Sequence, residues 1–197
     1  LLAIILASLA GAAWGGIVGW LKAKYEVSEV VATIMMNYIA LYVSRIISLR
    51  IPGANTYRTP NFPTTALLEN AFLQKITSGS RLNLGIIFVI LSVILYWFII
   101  EKTKTGFELR ATGFNKDAAR ASGIPVVKSI VLSMAIAGAF AGLAGGIVSL
   151  GSYKYGRVLA GNDNYGFTGI AVALVGNNTA LGTALSGLLF GMLSSAQ

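Results

Sequence analysis

The chain has 197 residues, 55% of them hydrophobic and 11% charged, whereas a soluble domain carries about 25% charged residues, so the composition indicates an integral membrane protein. Its formal net charge is +8, but the basic residues cluster in loops between apolar runs, as at the ends of membrane helices. The sequence lacks the basic face with interleaved aromatic residues that is typical of nucleic-acid-binding proteins. The absence of cysteine and histidine excludes a disulfide framework and a thiolate metal site, and it removes the usual zinc ligand and neutral-pH general base.

The first apolar run, residues 1–21, is uncharged and long enough to cross a bilayer as a helix. Within it Gly11, Gly15 and Gly19 fall four residues apart. Small residues at this spacing let helix backbones approach closely in lipid, so we expect these glycines to pack against another helix. Because the chain begins inside this run without a methionine, we expect it to be a fragment of a longer protein, with further N- and C-terminal spans missing.

The second predicted span, residues 30–51, contains polar side chains that need partners. Asn37 and Tyr38 lie in its first half, and an asparagine in hydrocarbon must hydrogen-bond either to a neighbouring helix or to a substrate. Both alternatives remain open at this point. Arg45 and Arg50 lie near the far end, where their long side chains can reach the lipid headgroups.

Residues 52–83 form the longest polar stretch, and proline and glycine break its first part. Residues 66–77 have helical periodicity and are predicted to lie on the membrane surface. We interpret the whole stretch as an extracytoplasmic loop. Residues 84–100 then cross back, with Tyr96 and Trp97 placed as an interfacial belt.

A polar, basic segment, residues 101–128, follows and is called the basic loop below. Its capping and helix-ending residues predict two short helices. Thr105 is placed to cap the first helix, which ends at Gly113 in a left-handed turn. Asn115 is placed to cap the second, and Gly123 suits the position just after it. Four apolar side chains are expected to pack the loop together: Phe107, Leu109, Phe114 and Ile124. An ordinary solvated loop is the alternative.

The last part of the chain is apolar again. Residues 129–150 form the next predicted span, whose glycines also fall four residues apart: Gly138, Gly142 and Gly146. Residues 164–176 are too short for a full crossing, which favours a re-entrant or broken helix. Residues 181–196 begin a further span.

The apolar runs lack the groups that ion-coupled carriers keep at membrane depth. Such carriers use ionisable or coordinating side chains there, but Arg45 lies near a span end and Asp163 precedes the short segment. The sequence also contains no GxxxxGK[ST] motif, so this chain is not predicted to hydrolyse ATP. What remains is a folded basic loop suited to contact a separate motor protein.

Three segments resemble, in the same order, ABC importer permeases of the branched-chain amino acid, ribose and nucleoside type. GFELRATGFNKDAARASGIPV at 106–126 resembles their cytoplasmic coupling loop, which sits on the ATPase subunit and transmits its motion. TIMMNYIALY at 33–42 is similar to a segment of the nucleoside, guanosine-type branch. GFTGIAVALVGNNTALGTALSGLLFG at 166–191 is similar to the C-terminal part of these permeases.

The resemblance implies an all-α, polytopic transmembrane helical bundle in the bacterial plasma (inner) membrane, with no cofactor and no catalytic or metal site of its own. The implied partners are a cytoplasmic ABC ATPase, a second permease subunit that is identical or related, a solute-binding lipoprotein docked on residues 52–83, and the lipid bilayer. The loops on the side of the basic loop hold eight of the fifteen Lys and Arg residues, a count that barely decides the orientation in the membrane. The resemblance implies that this side is cytoplasmic. The residues implied to contact the ATPase are Glu108, Arg110, Gly113, Asn115, Ala118, Ala119 and Gly123.

The nucleoside-type match implies a nucleoside substrate, moved when an ATPase dimer closes on ATP, pushes the basic loop and rocks the bundle. The expected substrate pathway includes Thr33, Asn37, Tyr38 and Tyr42, because tyrosine can stack on a base and asparagine can pair with its edge. Simple sugars and branched-chain amino acids are alternative substrates. The rival classes are an ATP-independent channel or facilitator, an assembly subunit, and a membrane enzyme, which the lack of a carboxylate pair at membrane depth disfavours.

Overall fold

The structure, a computed structural model, describes residues 2–63, 67, 84–159, 161 and 163–195. Helices dominate these residues, and two of the helices continue as π-helical turns. In chain order the elements are α1 (Leu2–Tyr25), α2 (Glu29–Leu49), β1 (Arg58–Asn61), α3 (Gly85–Trp97, then a π turn over Phe98–Lys102), α4 (Lys104–Phe114), α5 (Lys116–Ala121), α6 (Val126–Ile147, then a π turn over Val148–Tyr153), β2 (Tyr155–Arg157), α7 (Tyr165–Val175) and α8 (Ala180–Ser195).

Four helical segments are long and apolar enough to cross a bilayer: Leu2–Tyr25, Val30–Leu49, Gly85–Lys102 and Val126–Tyr153. They contain 18 to 28 residues, which at 1.5 Å per residue gives about 27 to 42 Å, against a hydrocarbon core of about 30 Å. The all-α, polytopic helical bundle is therefore confirmed. The assignment of each segment to a membrane side stays a prediction.

Helices α1 and α6 run antiparallel and pack directly against each other through their glycines. A Cβ atom on Gly11 would collide with the carbonyl oxygen of Gly138, and one on Gly142 would collide with the carbonyl oxygen of Ala7. The Ser8 hydroxyl also donates a hydrogen bond to the carbonyl oxygen of Ala139 at 3.1 Å. The expectation that these glycines let two backbones approach closely is confirmed.

A small antiparallel sheet, which the sequence did not predict, lies at one end of the bundle, called the sheet end below. Strand β1 pairs with β2, with Arg58 opposite Arg157. The backbone N–H of Gly156 donates to the Thr59 hydroxyl oxygen at 2.8 Å. The sheet joins the segment after α2 to the segment after α6, although these lie about a hundred residues apart.

The opposite end carries α4 and α5 of the basic loop and is called the loop end below. The first loop helix begins earlier than expected: Thr103, not Thr105, caps it, and its hydroxyl oxygen accepts from the Gly106 N–H at 3.1 Å. Gly113 lies inside α4 and does not form a left-handed stop. Asn115 caps α5 as expected, since its side-chain oxygen accepts from the N–H groups of Asp117 and Ala118 at 3.0 and 3.1 Å. Gly123 has φ +78° after α5, which also confirms the prediction.

Helices α7 and α8 form a hairpin of two short helices. The Ser186 hydroxyl donates to the carbonyl oxygen of Val172 at 2.6 Å, and a Cβ on Gly182 would collide with the carbonyl oxygen of Gly176. Helix α7 has 11 residues, which agrees with the short helix expected at 164–176, but α8 returns alongside it. Whether this hairpin is re-entrant in a membrane stays a prediction.

The interior of the sheet end is small and apolar. Ile4 and Leu150 are buried there, with Phe62, Leu84 and Phe88 packed partly against them. These contacts join α1, α3, α6 and the start of the 52–83 segment. The surface helix predicted at 66–77 lies outside the described residues, apart from Leu67.

Candidate functional site

Helix α4 is fixed to the end of α3 by a tight backbone contact. A Cβ on Gly106 would collide with the carbonyl oxygens of Ile99 and Ile100, so this position requires glycine. The Thr103 hydroxyl donates to the carbonyl oxygen of Ile99 at 2.6 Å while it caps α4. A displacement of α4 would therefore be transmitted directly to α3.

Each loop helix buries one small residue. Ala119 of α5 is only 3% exposed, and Thr112 of α4, 5% exposed, donates from its hydroxyl to the carbonyl oxygen of Glu108 at 2.8 Å. The backbone N–H of Ile124 donates to the carbonyl oxygen of Ala119 at 3.0 Å, which closes the turn after α5. The loop is folded, in agreement with the prediction of two capped helices.

Two ion pairs lie on the surface of the basic loop. Arg110 lies 3.4 Å from Glu101, and Lys104 lies 3.6 Å from Glu108 one helical turn away. Glu108 and Arg110 were expected to contact the ATPase, and both already have partners within this chain. Such exposed pairs contribute little stability, so they can exchange partners at an interface at low cost.

Two phenylalanines of α4 project from the loop, contrary to the expectation that they pack it together. Phe114 is 91% exposed and Phe107 is 62% exposed, whereas Leu109 and Ile124 are half-buried. Phe107 and Phe114 are seven residues apart and therefore share one face of the helix. The sequence reasoning missed them as candidate contact residues, although this spacing was a usable signal.

The other five residues predicted to contact an ATPase fall into two groups. Gly113, Asn115, Ala118 and Gly123 are exposed, and no described atom lies within 4 Å of a Cβ built on Gly113 or Gly123. Ala119 is instead buried within this chain. Its role in the structure is packing.

The C-terminal end of α1 also lies at the loop end. Lys22 lies near enough to Lys116 for their charges to repel each other. Lys24 lies 5.0 Å from the Trp20 ring centre, and Lys102 lies 5.1 Å from that of Trp97. Tryptophan beside lysine at helix ends is typical of a membrane interface, and the belt of Tyr96 and Trp97 stays a prediction.

At the sheet end, an ion pair and aromatic rings join β2 to α7. Arg157 contacts Asp163 through both guanidinium Nη atoms, at 2.5 and 3.2 Å, and lies 4.7 Å from the Tyr153 ring centre. The hydrogen bond that Arg157 donates to the Asp163 carboxylate raises the pKa of Arg157 above its ordinary value. Arg157 also donates a hydrogen bond from Nη1 to the Tyr153 hydroxyl oxygen at 3.3 Å.

The four predicted pathway residues of α2 do not share a face. At 3.6 residues per turn, Thr33 and Asn37 are turned by roughly 140° from Tyr38 and Tyr42. All four are exposed in the structure, and the Thr33 hydroxyl donates to the carbonyl oxygen of Val30 at 3.1 Å within its own helix. Their part in a pathway stays a prediction.

A cavity of about 790 Å³ lies at the loop end, between α3, α4, α6 and the turn that joins α7 to α8. None of the four α2 residues lines it. Its wall includes Tyr96, Trp97, Arg110, Phe114, Phe140 and Asn178. Within the described residues no group of three Asp or Glu side chains could hold a metal ion.

Comparisons with known proteins identify the family of the chain and several relatives. A family described as the branched-chain amino acid transport system permease component matches residues 1–197. A guanosine ABC transporter permease of Bacillus subtilis is 48% identical over 192 residues, which cover 98% of this chain and 55% of that protein. A nucleoside ABC transporter permease of Lactococcus lactis is 34% identical, covering 98% of this chain and 55% of that protein.

A more distant relative, a glucose ABC transporter permease of Haloferax volcanii, is 30% identical, and the match covers 98% of this chain and 52% of that protein. The chain thus spans about half the length of the curated relatives it matches. No solved structure matches it.

Proposed function

Because the chain belongs to the family of branched-chain amino acid transport system permease components, we propose that it is part of the permease of an ATP-driven ABC importer that translocates nucleosides. The observation that carries the proposal is the basic loop, folded as two capped helices and fixed to the end of α3 by Gly106. A separate ATPase subunit supplies the energy.

The geometry of the loop supports a docking role. Phe107 and Phe114 present an exposed aromatic face, and buried aromatic anchors dominate most protein interfaces. Four of the predicted contact residues, Gly113, Asn115, Ala118 and Gly123, are exposed beside them. In this proposal the ATPase covers that surface from the cytoplasm, and α4 transmits its motion to α3.

The other partners follow from the same proposal. The permease lies in the bacterial inner membrane and pairs with a second permease subunit. The sheet end faces outward, and a solute-binding lipoprotein docks there on the 52–83 segment. The basic residues Arg50, Arg58 and Lys154 at this end would favour an acidic docking surface.

The nucleoside assignment is supported by two of the relatives, whose names specify guanosine and nucleosides. A simple sugar is the second candidate, because a third relative is a glucose permease. Uptake of radiolabelled guanosine, uridine and glucose by a deletion strain carrying the full-length permease distinguishes the two. Guanosine or uridine uptake that depends on ATP supports the proposal, and uptake of glucose alone contradicts it.

The docking role is tested by Gly113→Trp in the full-length permease, with Gly161→Trp as the matched control. No described atom lies within 4 Å of a Cβ built on either glycine. Because Gly113 also lines the cavity at the loop end, co-purification of the ATPase, and not uptake alone, is the deciding readout. Gly113→Trp is expected to abolish co-purification of the ATPase and nucleoside uptake, whereas Gly161→Trp keeps the ATPase bound. If Gly113→Trp retains both the bound ATPase and uptake, the docking role is wrong.

A further inference from the structure

The turn between α7 and α8 brings an asparagine to the cavity at the loop end. Asn177 and Asn178 have φ values of 53° and 54°, and the backbone N–H of Asn178 donates to the carbonyl oxygen of Ala173 at 2.9 Å. The Thr179 hydroxyl oxygen accepts from the Gly182 N–H at 3.2 Å. The backbone of the turn is thus satisfied internally, and Asn178 is held at the wall of the cavity.

Three polar groups of the cavity wall have no hydrogen-bond partner within the described residues. They are the side-chain amide of Asn178, the hydroxyl of Tyr96 and the indole N–H of Trp97. An amide offers both donors and an acceptor, and a phenol offers one of each. Asn178 is exposed, so its amide is free to pair with a ligand that enters the cavity.

The rest of the wall suits a flat, uncharged ring. Tyr96 and Phe140 meet edge to face with ring centres 6.2 Å apart, and Trp97 lies beside them on the cavity wall. The two charged residues of the wall, Glu101 and Arg110, pair with each other at 3.4 Å and leave no net charge. A volume of about 790 Å³ is within the range of small-molecule sites, about 300 to 1,000 Å³.

We propose that this cavity binds the nucleobase of a neutral nucleoside, with Asn178 pairing to the base edge and Tyr96 contacting the ring. This inference rests on the proposed nucleoside transport and replaces α2 with the hairpin turn as the recognition element. It also places the substrate beside α4, because Arg110 and Phe114 line the same cavity. Movement of the basic loop would then change the shape of the binding site directly.

The first test compares two adjacent glycine substitutions in the full-length permease, assembled with its partners in proteoliposomes. Asn178→Gly removes the amide at the cavity, and Asn177→Gly removes one that does not line it. Glycine tolerates the left-handed conformation at both positions, so neither variant strains the turn. The KM for guanosine should rise about tenfold for Asn178→Gly, as expected for lost hydrogen bonds, and stay within about twofold for Asn177→Gly.

A second variant removes only a hydroxyl. Tyr96→Phe keeps the ring and its contact with Phe140, so folding and ATPase co-purification should be unchanged. A rise in the guanosine KM of about three- to tenfold is expected. Equal KM values for the wild type, Asn178→Gly and Tyr96→Phe would overturn the inference while leaving nucleoside transport intact.

Photolabelling locates the site without requiring transport. 8-Azidoguanosine should attach to peptides containing Tyr96 or Asn178, and excess guanosine, but not ribose, should prevent attachment. Attachment confined to the α2 peptide with Tyr38 and Tyr42 would overturn the cavity assignment. A phospholipid occupying the cavity, with the label elsewhere, would overturn it as well. A wild-type permease that takes up no nucleoside would contradict the proposed function itself, which is a different result from those above.

Discussion

Gly106 of α4 lies directly against the carbonyl oxygen of Ile99, so a side chain at position 106 would strike the end of α3. In the proposed function, this contact is the place where the basic loop acts on α3. Because backbone meets backbone, the contact is stiff and has no flexible side chain to absorb a displacement.

The first prediction concerns this contact. Gly106→Ala should lower the Tm of the purified permease, because a clash with two carbonyl groups costs about 1–3 kcal/mol and outweighs the helix propensity gained. Gly113→Ala is the control, since its Cβ meets no described atom, and its Tm should stay equal or rise. Equal Tm values for the two variants, measured by thermal unfolding in detergent, would show that the contact is not tight.

The second prediction concerns the exposed aromatic face of α4. Phe107→Ala and Phe114→Ala should each weaken association with the ATPase by about tenfold or more, as for aromatic interface anchors. Neither should lower the Tm, because both rings are exposed. Tyr57→Ala, at a residue 80% exposed at the sheet end, is the control and should leave ATPase affinity unchanged. An unchanged affinity in both phenylalanine variants would remove this face from the interface.

The third prediction concerns the Arg157–Asp163 pair. Arg157→Gln should destabilise the sheet end by about 1 kcal/mol, since the two side chains are 32% and 27% exposed and the pair is partly screened by water. Asp163→Asn should have a similar effect, and a double-mutant cycle should show that the two losses do not add. If the two losses of stability add, the interaction between Arg157 and Asp163 contributes nothing to the free energy of unfolding.

The raised pKa of Arg157 also gives the pH dependence of this contribution. Folding favours the protonated guanidinium, so the contribution of Arg157 is fully present at every pH below the ordinary arginine pKa and is lost only as pH rises through the higher folded value. Thermal unfolding between pH 6 and pH 9 should therefore show no pH-dependent loss attributable to this arginine.

Four of the five apolar runs predicted as spans form helices long enough to cross a bilayer, whereas the fifth forms the shorter helix Ala180–Ser195. The glycine spacing predicted close helix packing, for a local reason. Long apolar runs determine where helices form in a membrane, and glycines four residues apart mark a close approach whatever the partner is. Only the structure shows that Gly11 meets Gly138. Glycines four residues apart occur in both helices, and the spacing does not indicate which of them are in contact.

The errors in the basic loop have a different cause. Thr103 and Thr105 are equally suitable as caps by residue type, and Thr103 caps α4 because its backbone is extended after the π turn, with φ −111° and ψ 154°. Gly113 was expected to follow the end of the first loop helix, but α4 continues to Phe114 and ends at Asn115, which caps the next helix. The exposure of Phe114 depends on tertiary packing, which residue type alone misjudges.

The cavity at the loop end could not be predicted from the sequence, because its walls come from four separate parts of the chain. Tyr96 and Asn178 are more than eighty residues apart and meet only because the α7–α8 hairpin brings its turn to the loop end. The strands were missed for a local reason, since β1 contains a proline and β2 has only three residues.

The central claim is that the basic loop faces the cytoplasm, where an ATPase can reach it. The most direct measurement is labelling with a membrane-impermeant maleimide of Lys116→Cys at the loop end and Tyr57→Cys at the sheet end, in cells producing an otherwise cysteine-free permease. Intact cells should label only position 57, and position 116 should react only after the membrane is permeabilised. Labelling of position 116 in intact cells would place the loop outside and contradict the account.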